Sequence, residues 1–362
     1  MKKAKIGVIG CGNISPIYLK NLTSRFASTE VYAVADLIEE RAQTRAKEYN
    51  IPYVYTTEQL LADPEIDIAL NITQPPAHAD ICMQALAAGK HVYVEKPLSI
   101  SRADGRKIRA FAAEKGLRVG GAPDTFLGAG IQTCRKLIDE GAIGTPIGAT
   151  AFMTCHGHES WHPDPEFYYQ IGGGPMFDMG PYYLTALVNL MGPVHSVMGA
   201  ARVTFAQRTI TSEPKRGKTI DVKVPTHVAG ILNFDSGAIG TILTSFDVWG
   251  AHLPFIEIYG SEGSISVPDP NCFGGPVSLL KKGGAWEEIP LAFDYAENSR
   301  GLGLADMACA IAQARAARAS STLTFHVLDL MEGIHDSARE GRLYALESTC
   351  PQPAPMKQGE LF

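Results

Sequence analysis

Over the first third of the chain, apolar residues fall in short runs separated by more polar stretches of helical period. The runs at 4–10 (AKIGVIG), 31–36 (VYAVAD), 53–55 (YVY), 67–73 (DIALNIT), 91–96 (HVYVEK) and 117–122 (LRVGGA) are too short for helices. They are apolar on both faces, as strands are when helices cover both sides of a parallel sheet. Between them, residues 16–26, 38–49, 56–63, 75–89 and 101–116 space their apolar positions as helices do. Thr56 and Ser101 stand where N-caps belong, Pro75 at a helix start and Gly89 at a helix end. This alternation predicts an α/β fold, a doubly wound Rossmann sheet over residues 1–123.

After Pro123 the period changes. Helical patterns cover 126–140, 180–191, 301–318 and 323–341, and strand-like runs occupy 146–155, 194–206, 221–246, 254–260, 263–267 and 277–282. Turn signals at 235–237 (DSG), 260–263 (GSEG) and 282–284 (KGG) separate several of these runs, so successive hairpins are expected. Residues 124–346 therefore read as an α+β domain with an open, mostly antiparallel sheet and helices on one face. The uncovered face suits a homodimer or homotetramer. Residues 347–362, rich in Pro and polar side chains, read as an extended tail.

Composition narrows the function classes. At 362 residues the chain exceeds one ordinary core, and 45% hydrophobic with 19% charged residues suits a soluble globular protein. A formal charge of −6 offers no basic footprint for nucleic acid or an anionic membrane. Seven cysteines, with no CxxC pair, suggest free thiols in a reducing compartment. The opening MKKAKIGVIG has no cleavage site and reads as a first strand, and no stretch has the length of a membrane span. A cytoplasmic enzyme or binding protein is the expectation.

The glycine turn after the first strand carries the first chemistry. Gly10 permits the tight turn, and Gly12 lets backbone approach a pyrophosphate resting on the next helix N-terminus. Ser15 replaces the third glycine of GxGxxG but is small enough for helix–strand packing. Asp36 ends the second strand, where an acid holds a ribose 2′-hydroxyl and repels a 2′-phosphate, so NAD is favoured over NADP. Asn13 and Ile14 in the turn, Asn71, Thr73 and Pro75 after the fourth strand, and Glu95 complete the expected cofactor contacts. His78 either touches the cofactor or satisfies a loop carbonyl. Lys96, in Glu95-Lys96-Pro97 at the end of the fifth strand, falls where ligands bind in such sheets.

A second constellation lies at 172–183, GGGPMFDMGPYY. Asp178 and Tyr182, four residues apart, would share a helix face, with glycines allowing close approach to nicotinamide or substrate. Upstream, CHGHESWHPDPEFYYQI brings His156, His158, Trp161, His162, Phe167, Tyr168 and Tyr169 together. The histidines lack metal-site spacing and a nearby Cys pair, so no metal is expected. Flat aromatic faces beside hydrogen-bonding groups suit a polyhydroxylated ring, with His158, Trp161 and His162 as substrate contacts. The loop reads equally as an aromatic edge packed on the domain. Arg300, in FDYAENSRGLG (293–303), is the one positive group of a second polar stretch assigned to the substrate side.

With GVIGCGNIS, Asp36, NITQPPAHAD, EKP, GGGPMFDMG and HVLDLMEGIHDSAREG in hand, nearly the whole chain resembles the glucose-fructose oxidoreductase/inositol dehydrogenase/MocA family. The resemblance implies a Rossmann domain, an open-sheet domain, and NAD(P)-dependent oxidation of a secondary alcohol on a sugar, inositol or related polyol. It also implies a catalytic set of Lys96, Asp178 and position 182, where the family's commonest residue is histidine. Tyrosine there is similar to the glucose-fructose oxidoreductase branch. A phenol near Lys96 is a workable acid/base, because an ammonium favours phenolate. Two alternatives use the same scaffold: an NAD-holding glycosidase acting by transient C3 oxidation, and a non-catalytic dinucleotide-sensing regulator.

Overall fold

The computed structural model describes residues 2–362. Its first third runs β1 (Ala4–Ile9), α1 (Ser15–Ser24), β2 (Thr29–Ala35), α2 (Glu39–Tyr49), β3 (Tyr53–Tyr55), α3 (Thr57–Ala62), β4 (Ile68–Asn71), α4 (His78–Ala87), β5 (His91–Val94), α5 (Arg102–Lys115) and β6 (Val119–Gly121). The strands lie in the order β3-β2-β1-β4-β5-β6, and all neighbouring pairs are parallel. Helices cover both faces, which is why Val8, Val34, Leu70, Val92 and Val94 have no exposed surface. Strand order reverses between β1 and β4, so the carboxyl ends of the central strands open a crevice there. Thr56 and Ser101 cap α3 and α5 as their positions predict, accepting from Gln59 N and Asp104 N.

The second part continues with α6 (Ala129–Asp139), β7 (Pro146–Thr154), α7 (Pro175–Asp178), α8 (Gly180–Met191), β8 (Val194–Arg202), β9 (Gln207–Thr209), β10 (Thr219–Asp221), β11 (His227–Phe234), β12 (Ile239–Ser245), β13 (Ile256–Gly260), β14 (Gly263–Val267), β15 (Val277–Lys281), β16 (Trp286–Ile289), α9 (Leu302–Ala312), α10 (Ser321–Glu340) and β17 (Tyr344–Ala345). Nine strands form one sheet, β16-β15-β14-β13-β7-β12-β11-β8-β17. It is antiparallel except where β7 meets β12. Helix α10 lies on one face, its Ile334 filling the space that Gly199 and Gly230 leave. On the other face Met198, Ile231 and Ile239 stay exposed.

Three features depart from the sequence reading. The helix expected over 301–318 stops at Ala312. Its continuation ARAAR has good helix propensity, but the fully buried Asp306 draws it back. Asp306 accepts from Arg315 Nη2 (2.7 Å), Arg318 N (2.7 Å) and Arg318 Nη1 (2.7 Å), and Ala314 turns with φ 53°. Tertiary charge pairing thus overrides local propensity. Second, Asp178 ends the short α7, and Tyr182 belongs to α8, with Met179 (φ −111°) between them. Third, residues 203–225 fold into an unexpected β9–β10 hairpin, a small sheet of its own. The tail has no regular element beyond β17, yet it is packed: Cys350, Met356 and Phe362 are buried, and Phe362 O accepts from Ala27 N (2.7 Å).

Candidate active site

Gly10 has φ +106°, and a Cβ there would lie 2.7 Å from Ile72 O, so only glycine suits this turn. Around Gly12 a Cβ would meet nothing within 4 Å, which leaves the approach to the α1 N-terminus open. No side chain caps that terminus, so none competes there with an anion for the free N–H groups of the first turn. Ser15 stands fully buried at the start of α1, its Oγ donating to Gly12 O (2.7 Å). The Asp36 carboxylate accepts from Cys11 N (2.7 Å) and Ile38 N (2.8 Å), fastening the glycine turn to the end of β2. Leu37 beside it is fully exposed and carries no positive charge. These residues fit a dinucleotide with a free ribose 2′-hydroxyl: an open helix N-terminus for the pyrophosphate and an acid at the ribose.

The loops after β4 and β5 form the next wall. Thr73 and Pro75 reach the surface. Asn71 and His78 do not: both have no exposed surface. Asn71 Nδ2 donates to His78 O (3.1 Å), and Asn71 Oδ1 accepts from Thr73 Oγ1 (2.7 Å). The His78 ring nitrogens face Pro97 O (2.7 Å) and Thr73 O (3.1 Å). Both side chains therefore fasten loop to loop rather than offer an atom to the cofactor. Glu95 is also turned inward, accepting from Tyr18 Oη (2.7 Å) and Lys96 N (2.8 Å).

Lys96 reaches across to the second part of the chain. Its Nζ donates to Asp178 Oδ1 (2.9 Å) and Asp178 O (2.6 Å), and lies 5.2 Å from the centre of the Tyr182 ring. Burial opposes the charge on Lys96, but Asp178, Tyr182 and Glu95 outweigh it and raise its pKa. The Tyr182 pKa is raised overall: burial pushes it up most, Lys96 and Arg300 pull it down, and Glu95 pushes it up. Arg300, bonded through Nη2 to Asn271 Oδ1 (2.7 Å) and through Nη1 to Asn298 Oδ1 (2.9 Å), thus acts on the Tyr182 hydroxyl as a second cation. The sequence had placed Arg300 only on the substrate side.

The aromatic loop closes the other flank. His158 Nε2 stands 3.7 Å from Asp178 Oδ2, and its ring stacks on Tyr168 at 3.8 Å. Burial lowers the His158 pKa, with Asp178 and Glu159 opposing. Trp161 and His162 extend the cluster outward, and Trp161 is largely exposed. The loop is thus both things its composition allows, a packed aromatic edge and an open aromatic rim. His156 stacks on Trp249 instead (3.4 Å), away from that cluster. The triple glycine has a different purpose from the expected one. A Cβ on Gly173 would lie 2.5 Å from Phe167 O and 2.7 Å from Tyr168 O, and Gly174 (φ +85°) donates its N–H to Tyr168 O (2.7 Å). The close approach is to the aromatic loop itself. Tyr168, whose pKa burial and Asp178 raise while Lys96 lowers it, is a site residue that the sequence analysis left unassigned. Its neighbourhood to the GGG segment was the available signal.

A parallel dinucleotide sheet facing a lysine–carboxylate–phenol cluster defines an NAD-dependent oxidoreductase acting on CH–OH groups. Residues 4–121 match the family described as oxidoreductase family, NAD-binding Rossmann fold, and residues 131–266 match the GFO/IDH/MocA C-terminal domain. The chain belongs to the GFO/IDH/MocA family. It is 26% identical over 264 residues to myo-inositol 2-dehydrogenase of Thermotoga maritima, covering 72% of this chain and 74% of that one. It is 32% identical over 204 residues to dTDP-3,4-didehydro-2,6-dideoxy-alpha-D-glucose 3-reductase of Streptomyces violaceoruber, covering 55% and 58%. In fold it is similar to levoglucosan dehydrogenase in complex with NADH and L-sorbose, with TM-score 0.82, 19% identity, and 96% and 99% of the two chains covered. Among the described residues no helix is long and apolar enough to cross a membrane.

Asp36 supplies a first prediction. Asp36→Ser raises the KM for NAD about tenfold, roughly 1.4 kcal/mol, and narrows the preference over NADP. Initial rates with each cofactor measure both. An unchanged NAD:NADP ratio would remove Asp36 from cofactor choice.

Proposed function

We propose that this protein oxidises a secondary hydroxyl of a sugar, glycoside or inositol-like polyol, with Tyr182 as the proton acceptor, Lys96 as its electrostatic partner and Asp178 as the group that positions Lys96. One observation carries the reading: Lys96 Nζ is held by Asp178 over the Tyr182 ring, at the carboxyl end of a dinucleotide-binding sheet. NAD, held at the Gly10–Gly12 turn and Asp36, would supply the hydride acceptor when bound. The chain must then take the hydroxyl proton. Burial leaves the Tyr182 pKa raised overall, which makes a resting phenol a poor base, and Lys96 and Arg300 beside it offset part of that rise. In the reverse direction, the neutral phenol returns the proton, and Lys96 favours charge developing on the carbonyl oxygen. The rim of His158, Trp161, His162 and Tyr168 suits the flat faces and hydroxyls of a polyol. The inositol dehydrogenase and levoglucosan dehydrogenase relatives support that substrate class.

The test is a panel of free sugars, inositols and aryl glycosides with NAD, reading reduced nicotinamide and released aglycone together. NADH formation with a polyol is expected. Aglycone release without net NADH would replace this reading by transient-oxidation glycoside cleavage, and inertness to the whole panel would leave a cofactor-binding regulator.

The proposal includes a homodimer or homotetramer through the open sheet face. Ile231 pairs with Met198 and with Thr241 across that face, and Ile231 and Met198 are exposed. Met198, Ile231 and Ile239, exposed together on this face, are the apolar groups such a contact would cover. Ile231→Asp is expected to yield monomers by sedimentation velocity, with the far-UV spectrum unchanged. An unchanged assembly would move the interface elsewhere.

A further inference from the structure

Resting on that reading of the site, we infer that Arg208 is a positioning residue for substrate, acting through Glu159 to hold the aromatic loop over Asp178. Arg208 lies on β9, in the hairpin that the sequence did not announce. Its guanidinium is buried between two carboxylates. Nη1 donates to Glu159 Oε1 (2.7 Å), while Nη2 donates to Asp247 Oδ1 and to Phe246 O (2.7 Å). The side chains of Arg208, Glu159 and Asp247 are only 5%, 10% and 6% exposed, so these charges are nearly out of water. Charges so desolvated hold their geometry firmly, because any displacement leaves one unpaired.

The network leads directly to the site. Glu159 Oε2 accepts from Tyr169 Oη, and the same phenol oxygen accepts from His158 N (3.3 Å). Glu159 is adjacent in sequence to His158, whose ring stacks between Tyr168 and the edge of Phe246. Asp247 is tied in turn to Thr226 Oγ1 (2.8 Å). Gly157 must be glycine here: with φ +81°, any Cβ would strike Tyr169 Oη and the Glu159 carboxylate. The hairpin adds further fastenings along the loop. Thr211 N and Ser212 N donate to Glu159 O (2.8 and 3.0 Å), Ser212 Oγ donates to His162 O (2.5 Å), and Lys215 pairs with Asp164 (2.8 Å) and Glu166 (2.6 Å).

None of these hairpin groups is among the cofactor contacts or the Lys96–Asp178–Tyr182 set. Their effect therefore falls on the loop, and through it on the polyol. The hairpin is the foundation of the substrate rim, and Arg208 is its one buried charge. Lysine keeps the charge but gathers its donors on one nitrogen, without the planar fork whose Nη1 and Nη2 reach Glu159 and Asp247 separately, so Arg208→Lys should retain only part of the effect.

The experiment compares wild type, Arg208→Lys, Arg208→Met and Glu159→Gln, using NAD and whichever panel polyol the wild type oxidises. Hydrogen exchange of residues 156–171 is read in parallel, without substrate. Arg208→Met and Glu159→Gln are expected to speed exchange in that loop and raise the polyol KM about tenfold or more, with NAD affinity and kcat within about threefold. Arg208→Lys should fall between. If Arg208→Met does not fold, Glu159→Gln carries the test, since it weakens the same anchor while relieving a buried negative charge. A loosened loop with an unchanged polyol KM overturns the inference, as does unchanged exchange. Equal losses in NAD affinity and polyol KM also overturn it, as general destabilisation. A wild type inert to every polyol sinks the underlying functional reading and this inference with it. An active wild type with unresponsive variants sinks the inference alone.

Discussion

Tyr182→Phe is expected to lower kcat for polyol oxidation by about 10²–10⁴-fold, the range of a lost general acid–base group. Removing one oxygen leaves the ring under Lys96 and the packing of α8 in place, so NAD affinity and thermal stability should hardly move. The pH profile gives a sharper reading. Oxidation needs the phenolate, so its rate climbs with pH until the Tyr182 pKa is passed. Reduction needs the phenol, so its rate falls through the same pKa. Both limbs should disappear in the phenylalanine variant. Burial raises this pKa while Lys96 and Arg300 lower it, and the observed midpoint reports their balance. If Tyr182→Phe keeps near-normal turnover, the base is His158, whose Nε2 lies 3.7 Å from Asp178 Oδ2 and whose lowered pKa leaves it neutral near neutral pH.

Lys96→Met should lower kcat about 10²–10³-fold, as loss of one preorganised donor at a reacting oxygen does. It also removes a cation from beside Tyr182, so the Tyr182 pKa rises. The rate of oxidation should therefore climb only at higher pH than in wild type, which separates this variant from Tyr182→Phe, where no such limb remains. Arg should not substitute well. The Lys96 ammonium serves Asp178 Oδ1 and Asp178 O from one compact point, which a planar fork does not reproduce. Asp178 loses its partner in Lys96→Met, so a thermal melt must accompany the kinetics. A variant that melts normally but shows a wild-type pH profile would detach Lys96 from the titration of Tyr182.

Much of this site was legible before any coordinates. Gly10, Gly12 and Asp36 belong to one strand–turn–helix–strand unit, and their requirements are local: a positive φ, an open helix end, and an acid at the end of a strand. Lys96 was placed because the end of β5 follows from the alternation of elements. Asp178 and Tyr182 were found by spacing, although the structure breaks the helix between them and lets Lys96 join them instead. The same local reasoning named Asn71 as a cofactor contact and left His78 open between the cofactor and a loop carbonyl. It could not know that the polar side-chain atoms of both face neighbouring loops. It also continued a helix through ARAAR, because propensity cannot anticipate a buried Asp306 taking two arginines.

The sequence alone thus determined the fold class, the dinucleotide turn and the chemical inventory. Periodicity and turn chemistry are short-range properties, written within a dozen or so neighbouring residues. Only the tertiary structure decided which charges meet. Lys96 bonds Asp178 across 82 positions, Arg300 acts on Tyr182, and Arg208 reaches Glu159 across 49. Such pairings depend on distance in space and on exclusion of water, and neither is a property of any stretch of chain taken by itself.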